Sequence, residues 1–248
     1  MKPKSLVVIF AAILATTVNI SANPIPIPPP ANMPLEEMYV EIQPDGNGLD
    51  ATFTGDFTFI YIPKDVNSML FPVPPNANKI RVWEDSNELP WTWSEREYPT
   101  ILPEMPNIPM IEWQGPFHPN GAVFRVDYEH DLIEQPNDFI FFYALGTGKY
   151  FPSYDKMTTA HFCLLLPDRF TIAGVWLDEI PHEYKVVGSH LVVTVESQFG
   201  PIVHDLIVSL VPINFERCGV LVQGAECVLF LADGGGLYEL DNLGDFKV

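Results

Sequence analysis

The sequence predicts an all-β protein: an antiparallel β-sandwich with Greek-key-like connections, carrying a small C-terminal β-unit. Three observations lead there. Two long segments alternate apolar and polar residues with a period of two, the signature of half-buried strands. Pro, Gly, Asn and Asp clusters recur between apolar runs at turn spacing. No stretch carries a long amphipathic helical pattern, because prolines recur too often among the 25 in the chain and β-branched and aromatic residues are abundant.

The N-terminus has the three parts of a signal peptide. Lys2 and Lys4 form a basic start, Leu6 to Val18 an apolar run, and Ser21 and Ala22 a small-residue cleavage site. The apolar run is shorter than the roughly 20 residues a spanning helix needs. Cleavage is expected after Ala22, with Ile20 as the least favourable residue near the cut. Residues 23–35 (NPIPIPPPANMPL) hold Pro24, Pro26, Pro28, Pro29, Pro30 and Pro34 and read as an extended spacer. Later apolar stretches, such as 160–166 and 202–213, are too short to span a bilayer. The expectation is a soluble exported protein, periplasmic or extracellular.

The sandwich is expected over residues 36–213. In 50–62 (DATFTGDFTFIYI), Ala51, Phe53, Phe57, Phe59 and Tyr61 share a face opposite Thr52, Thr54, Asp56 and Thr58. In 122–128, Ala122, Phe124, Val126 and Tyr128 alternate with Val123, Arg125 and Asp127. Less regular strands are expected near 37–43, 79–84, 89–94, 138–145, 159–166, 170–177, 183–187, 190–196 and 202–211. Segment 95–119, with Pro99, Pro103, Pro106, Pro109, Pro116 and Pro119, reads as a long proline-rich loop. Residues 214–248 read as a further small β-unit of three short strands, either packed onto the first domain or cut short in a longer parent chain.

Charge excludes some function classes. Losing Lys2 and Lys4 with the leader takes the basic count from 13 to 11 against 32 acidic residues, a net of about −21. A nucleic-acid backbone needs a cationic face, so nucleic-acid binding is not expected. The three cysteines, Cys163, Cys218 and Cys227, are too few for a disulfide scaffold, although Cys218 and Cys227 could pair across a hairpin. With 47% apolar residues the chain can bury a core without such staples.

Phe142 to Gly148 (FYALGTG), flanked by AVFRVDYEHDL and AHFCLLLP, resembles a class of exported microbial β-sandwich domains of unknown function. So does LFPVPPNANKIRVWEDSNELP; together the likeness spans roughly residues 50–180. The segment Gly219 to Val248 resembles the opening strands of an OB-like unit. Neither resemblance implies catalytic residues.

The best binding candidates are Trp83, Trp91 and Trp93, with Arg81, around the turn Asp85-Ser86-Asn87. A three-residue loop pairs Glu84 with Glu88 and puts Arg81, Trp83, Leu89, Trp91 and Trp93 on one face, an aromatic platform for sugar rings or a protein partner. A two-residue loop centred on Ser86-Asn87 sets Val82 against Trp91 and Ile80 against Trp93, and makes these tryptophans core. Asp127, Glu129 and Asp131 form an acidic stripe at strand spacing, with His130 opposite; it is either a calcium site or a solvated face. Asp45 to Asp50 (DGNGLD) puts Leu49 where a calcium loop needs an oxygen, and reads as a hairpin turn.

Enzyme signatures fail in detail. His182-Glu183 is followed by Val186 where a zinc helix needs its second histidine, and Gly148-Lys149 lacks the upstream glycine of a phosphate loop. Gly188-Ser189-His190 lacks the nucleophile-elbow pattern. His161 and His204 sit on apolar strands, and Cys163 beside His161 has no third orienting group. The expected function is therefore a non-catalytic exported structural or binding module recognising protein or glycan. An exported carboxylate-dependent hydrolase is the alternative.

Overall fold

The computed structural model describes residues 24–28, 31–45, 48–146, 158–197 and 200–213, together with the backbone of three strands between 219 and 239. The leader, Cys218, Cys227 and most of the 146–156 loop lie outside these residues. In chain order the first strands are β1 (Ile25–Ile27), β2 (Leu35–Asp45), β3 (Gly48–Phe59), β4 (Ser68–Pro72), β5 (Asn78–Glu84), β6 (Asn87–Leu89), β7 (Trp91–Pro99) and β8 (Asn107–Gln114). There follow β9 (Ala122–Asp131), β10 (Ile133–Glu134), β11 (Phe139–Tyr143), β12 (Thr158–Leu165), β13 (Phe170–Leu177) and β14 (Ile180–Pro181). β15 (Lys185–Val187), β16 (His190–Ser197) and β17 (Leu206–Pro212) complete the first compact unit, which ends at Val211.

These strands build the expected sandwich. One layer is an eight-stranded sheet in the order β15-β16-β12-β2-β3-β9-β5-β6. The other consists of a four-stranded sheet, β1-β4-β8-β7, and a five-stranded sheet, β10-β11-β17-β13-β14. Among the strand pairs with a described register, pairing is antiparallel except between β2 and β12, which run parallel from Thr159↔Leu35 to Leu165↔Glu41. That pair joins strands more than a hundred residues apart, so no tight hairpin is available to impose the antiparallel sense.

The core lies between the layers. Phe53, Phe57, Phe124 and Val126 from the large sheet are fully buried, as are Phe71 and Trp113 from the four-stranded sheet and Phe141 and Val208 from the five-stranded one. Aromatic contacts cross the gap: Phe57 meets Phe71 at 5.5 Å, Trp113 meets Phe124 at 5.9 Å, and Tyr143 lies between Phe53 and Phe162 at 5.2 and 5.1 Å. Gly55 leaves the room these rings occupy, since a Cβ there would stand 2.8 Å from the ring tips of both Phe53 and Phe57.

Two sequence expectations are corrected, and one strand is present that no alternation announces. Part of the proline-rich spacer is a strand: β1 pairs Ile25 with Leu70, and Ile25 is buried. Proline is admitted because β1 is an edge strand, where a missing N–H breaks no ladder on the open side. Segment 95–119 is no single long loop, because β7 runs to Pro99 and β8 occupies 107–114. Pro109 fits within β8 opposite Glu97, at the shifted end of a bulged register between β7 and β8. Finally, β4 is buried along its whole length, which hides it from any search for alternation.

A second compact unit runs from Pro212 to Val248. Its described part is an antiparallel meander of β18 (Gly219–Gln223), β19 (Val228–Ala232) and β20 (Leu237–Glu239).

Candidate functional site

The tryptophan segment adopts neither of the two registers anticipated. β5 and β6 pair Val82 with Leu89, Trp83 with Glu88 and Glu84 with Asn87, leaving a two-residue turn at Asp85-Ser86. Asp85 takes a positive φ of 53°. It is held there from outside the hairpin: its N–H donates to the Val123 carbonyl at 2.7 Å, and its Oδ1 accepts the Val123 N–H at 3.0 Å. That grip by β9 sets the turn, and no local residue preference announces it.

Pro90 then interrupts the chain, and Trp91 and Trp93 pass to the four-stranded sheet, opposite Trp113 and Ile111. The four candidates therefore form two pairs instead of one platform. Arg81 and Trp83 lie on the outer face of the eight-stranded sheet, with the guanidinium carbon 4.9 Å from the indole centroid. Trp91 is half-buried against the core and its Nε1–H donates to the Ile80 carbonyl at 3.2 Å, beside Arg81 in the chain. Trp93 stands edge-on to Trp91 at 5.6 Å and 87°, and is 51% exposed. Thr92, Glu95, Arg96 and Glu97 around it are exposed as well.

The acidic stripe is ion-paired at two of its three positions, and the third, Asp131, shares a hydrogen bond with the Asp50 carboxyl on β3. Asp127, Glu129 and Asp131 point outward from β9 at every second residue, about 7 Å apart. Lys79 Nζ lies 2.7 Å from Glu129, Arg81 3.5 Å from Asp127, and Arg125 binds both oxygens of Asp56 at 2.8 and 2.7 Å. Partial burial pushes the Asp127 carboxyl above its ordinary range, against the pull of the Thr54 hydroxyl, Arg125 and Arg81. Among the described residues no three His, Cys, Asp or Glu side chains group closely enough to hold a metal ion. The calcium expectation for Asp127, Glu129 and Asp131 thus finds three separated carboxylates, two of them facing cations.

Elsewhere two carboxylates, Asp205 and Asp178, serve as acceptors that tie elements together. Asp205 is fully buried and accepts the Tyr98 hydroxyl at 2.7 and 2.6 Å and the Gly146 N–H at 2.8 Å. Asp178 accepts the Asp205 N–H at 2.9 Å and contacts His204 Nδ1 at 2.7 Å. His161 and Cys163 are outward neighbours on β12, and the His161 ring contacts the Thr194 hydroxyl at 3.3 Å.

His130, opposite the acidic stripe, is a buried ionisable residue of the core. It takes the last inward position of β9, is 4% exposed, and lies between the rings of Tyr128 and Phe141 at 5.6 and 5.9 Å. Burial pushes its imidazole down to about 4, so it is neutral at physiological pH. It lines a hollow of about 290 Å³ at one end of the sandwich. The signal in the sequence was a histidine continuing the apolar series Ala122, Phe124, Val126, Tyr128.

No family model matches the chain, and no curated protein sequence matches it. Among solved structures, a candidate nutrient-binding protein from Legionella pneumophila superposes with a TM-score of 0.58 at 14% identity, covering 77% of this chain and 70% of that one. An M1 zinc metallopeptidase from Deinococcus radiodurans gives 0.42 at 10% identity, covering 80% of this chain and 46% of the other. The leukotriene A4 hydrolase of Saccharomyces cerevisiae gives 0.41 at 7%, covering 79% and 31%. The first of these shows a shared fold; this chain spans less than half the length of either of the other two.

Proposed function

We propose that this protein is a non-catalytic, exported binding module that takes a glycan or protein ligand at the Trp91–Trp93 pair, with Arg81 and Trp83 as a separate pair on the eight-stranded sheet. The observation that carries the reading is Trp93. A half-exposed indole is held edge-on by a second indole, which is in turn fixed by its bond to the Ile80 carbonyl. An aromatic face ordered before binding loses little conformational entropy when a ligand stacks on it. The exposed hydroxyl, carboxylate and guanidinium groups of the same strand suit a ligand rich in hydroxyls, and a glycan is the class they favour. The scaffold shared with a candidate nutrient-binding protein is in keeping with a carrier role.

The test is a glycan array on the full chain, followed by tryptophan fluorescence titration of any hit. Trp93→Ala should weaken binding about tenfold or more, as hot-spot aromatics do, while Trp83→Ala should have a smaller effect. Unchanged affinity in Trp93→Ala would place recognition elsewhere. Shortened glycan in the reaction mixture would favour the hydrolase reading.

A further inference from the structure

We infer that the hollow between the β3–β4 and β8–β9 loops is a second binding site, separate from the tryptophan pair, for a small organic carboxylate carried on an apolar ring. The loops, residues 60–67 and 115–121, are tied to each other through their backbones. The Gly115 N–H donates to the Asn67 carbonyl at 2.7 Å, and the Ile62 N–H donates to the Pro119 carbonyl at 3.4 Å. The hollow has a volume of about 590 Å³, a size that suits a small-molecule site. Its apolar wall is set before any ligand arrives. Pro63, Pro116 and Pro119 line it, and a proline has its φ fixed and no backbone N–H to offer. Phe117 joins them, held edge-on to the core ring of Phe124 at 5.5 Å and 87°. The next residue is anchored too, since the His118 N–H donates to Glu84 Oε1 at 3.1 Å. Rigid apolar faces cover a ring at little cost in conformational entropy.

The charge in the lining has one sign. Lys64 is the one charged side chain among the described residues that line the hollow; Asp65, next to it in the chain, does not. Lys64 is exposed and has no ion-pair partner among the described residues. Its flexible four-carbon stem lets the ammonium range over the wall it lines. Asn67 is exposed as well, with no partner for its carboxamide among the described residues. Gln114 spends one amide N–H on Glu112 Oε1 at 3.0 Å and keeps the other. Two other hollows differ in this respect: Glu104 and Asp131 line the one beside His130, and Asp127 and Glu129 line one beside Arg81. In a chain with 32 acidic residues, a hollow whose charged lining is a lysine is the place that accepts an anion. A carboxylate offers one oxygen to the ammonium and the other to an amide N–H, while its ring meets the proline and phenylalanine faces.

Ligand-observed fluorine NMR on the full chain tests this with three probes that share a ring and differ in charge: 4-fluorobenzoate, 4-fluorobenzamide and 4-fluorobenzylammonium. About 0.15 M salt, with a Debye length of about 8 Å, screens the net charge of the protein. The benzoate is expected to bind about fivefold more tightly than the benzamide, the upper value for a solvent-exposed ion pair, and the ammonium to bind least. Lys64→Gln should bring the benzoate down to the affinity of the benzamide and leave the benzamide unchanged, whereas Lys64→Arg should keep the preference. Asn67→Trp, at an exposed loop position, should fill the hollow and release both. The proposal is overturned if wild type binds none of the probes, if benzamide matches benzoate, if Lys64→Gln retains the preference, or if Asn67→Trp leaves binding intact. Trp93→Ala should bind the probes as wild type does, so failure of the tryptophan site and failure of this one are read separately. A loss of benzoate binding in Trp93→Ala would put the carboxylate at the tryptophan pair and overturn the assignment.

Discussion

His130 places an ionisable ring at a position that the alternation of β9 reserves for apolar residues, and this has a consequence for stability. The folded protein holds the imidazole neutral down to about pH 4, whereas the unfolded chain takes up a proton near 6.5. Between those values the unfolded state binds the extra proton, so stability rises with pH across the window and falls as the solution is acidified through it. The contribution is complete above about pH 6.5 and lost by about pH 4, amounting to about 3 kcal/mol. Asp50 and Asp127 act with the opposite sign, because burial raises both carboxyls in the folded protein. Urea midpoints measured from pH 4 to 7 should therefore climb in the wild type and climb much less in His130→Phe. Parallel curves for the two proteins would remove the buried histidine as the cause.

Among the elements, the contact most exposed to test is the one between β7 and the segment leading into β17. Tyr98 ends β7 in the four-stranded sheet, and its hydroxyl donates to Asp205 just before β17 in the five-stranded sheet. Tyr98→Phe keeps the ring in its small cluster with Ile108, Phe142 and Ala144 and takes one donor from a buried carboxylate. The Gly146 N–H remains, so the loss should be about 2 kcal/mol, and a melting temperature lowered by roughly 4–8 °C would register it. None of this was legible in the sequence, because the partners stand more than a hundred residues apart and neither residue type is unusual where it sits. What alternation could reveal was the set of strands with one wet face: β2, β3, β9, β12 and β16. β4 is buried on both faces and gives no period; β1 and β8 contain prolines, and composition alone reads these as loop. The tryptophan hairpin failed for a different reason. Its register depends on Asp85 bonding twice to Val123, a contact between strands that no turn preference of Asp-Ser encodes. Pro90 divides the four candidate residues, Arg81, Trp83, Trp91 and Trp93, into two pairs on two sheets.

At the scale of the whole molecule, charge dominates. The sequence carries a net charge of −19, and self-repulsion at that level works against the compact state. The described ion pairs at Lys79–Glu129, Arg81–Asp127 and Arg125–Asp56 act the other way, but they are surface pairs worth at most about 1 kcal/mol each. Salt screens both effects, with a Debye length of about 10 Å at 0.1 M. Because the unbalanced acids far outnumber these pairs, screening should help more than it harms. The melting temperature is expected to rise as sodium chloride is raised from about 0.01 to 0.5 M, and a fall would show that local pairs outweigh the net repulsion. The same experiment addresses cation binding. Divalent chlorides at matched ionic strength should stabilise through screening alone if Asp127, Glu129 and Asp131 act as separate carboxylates. A rise with calcium that magnesium does not reproduce would instead require oxygen ligands drawn together from more than the one face of β9, since calcium gathers six to eight of them around one point and carboxylates spaced about 7 Å apart along a strand do not meet at one.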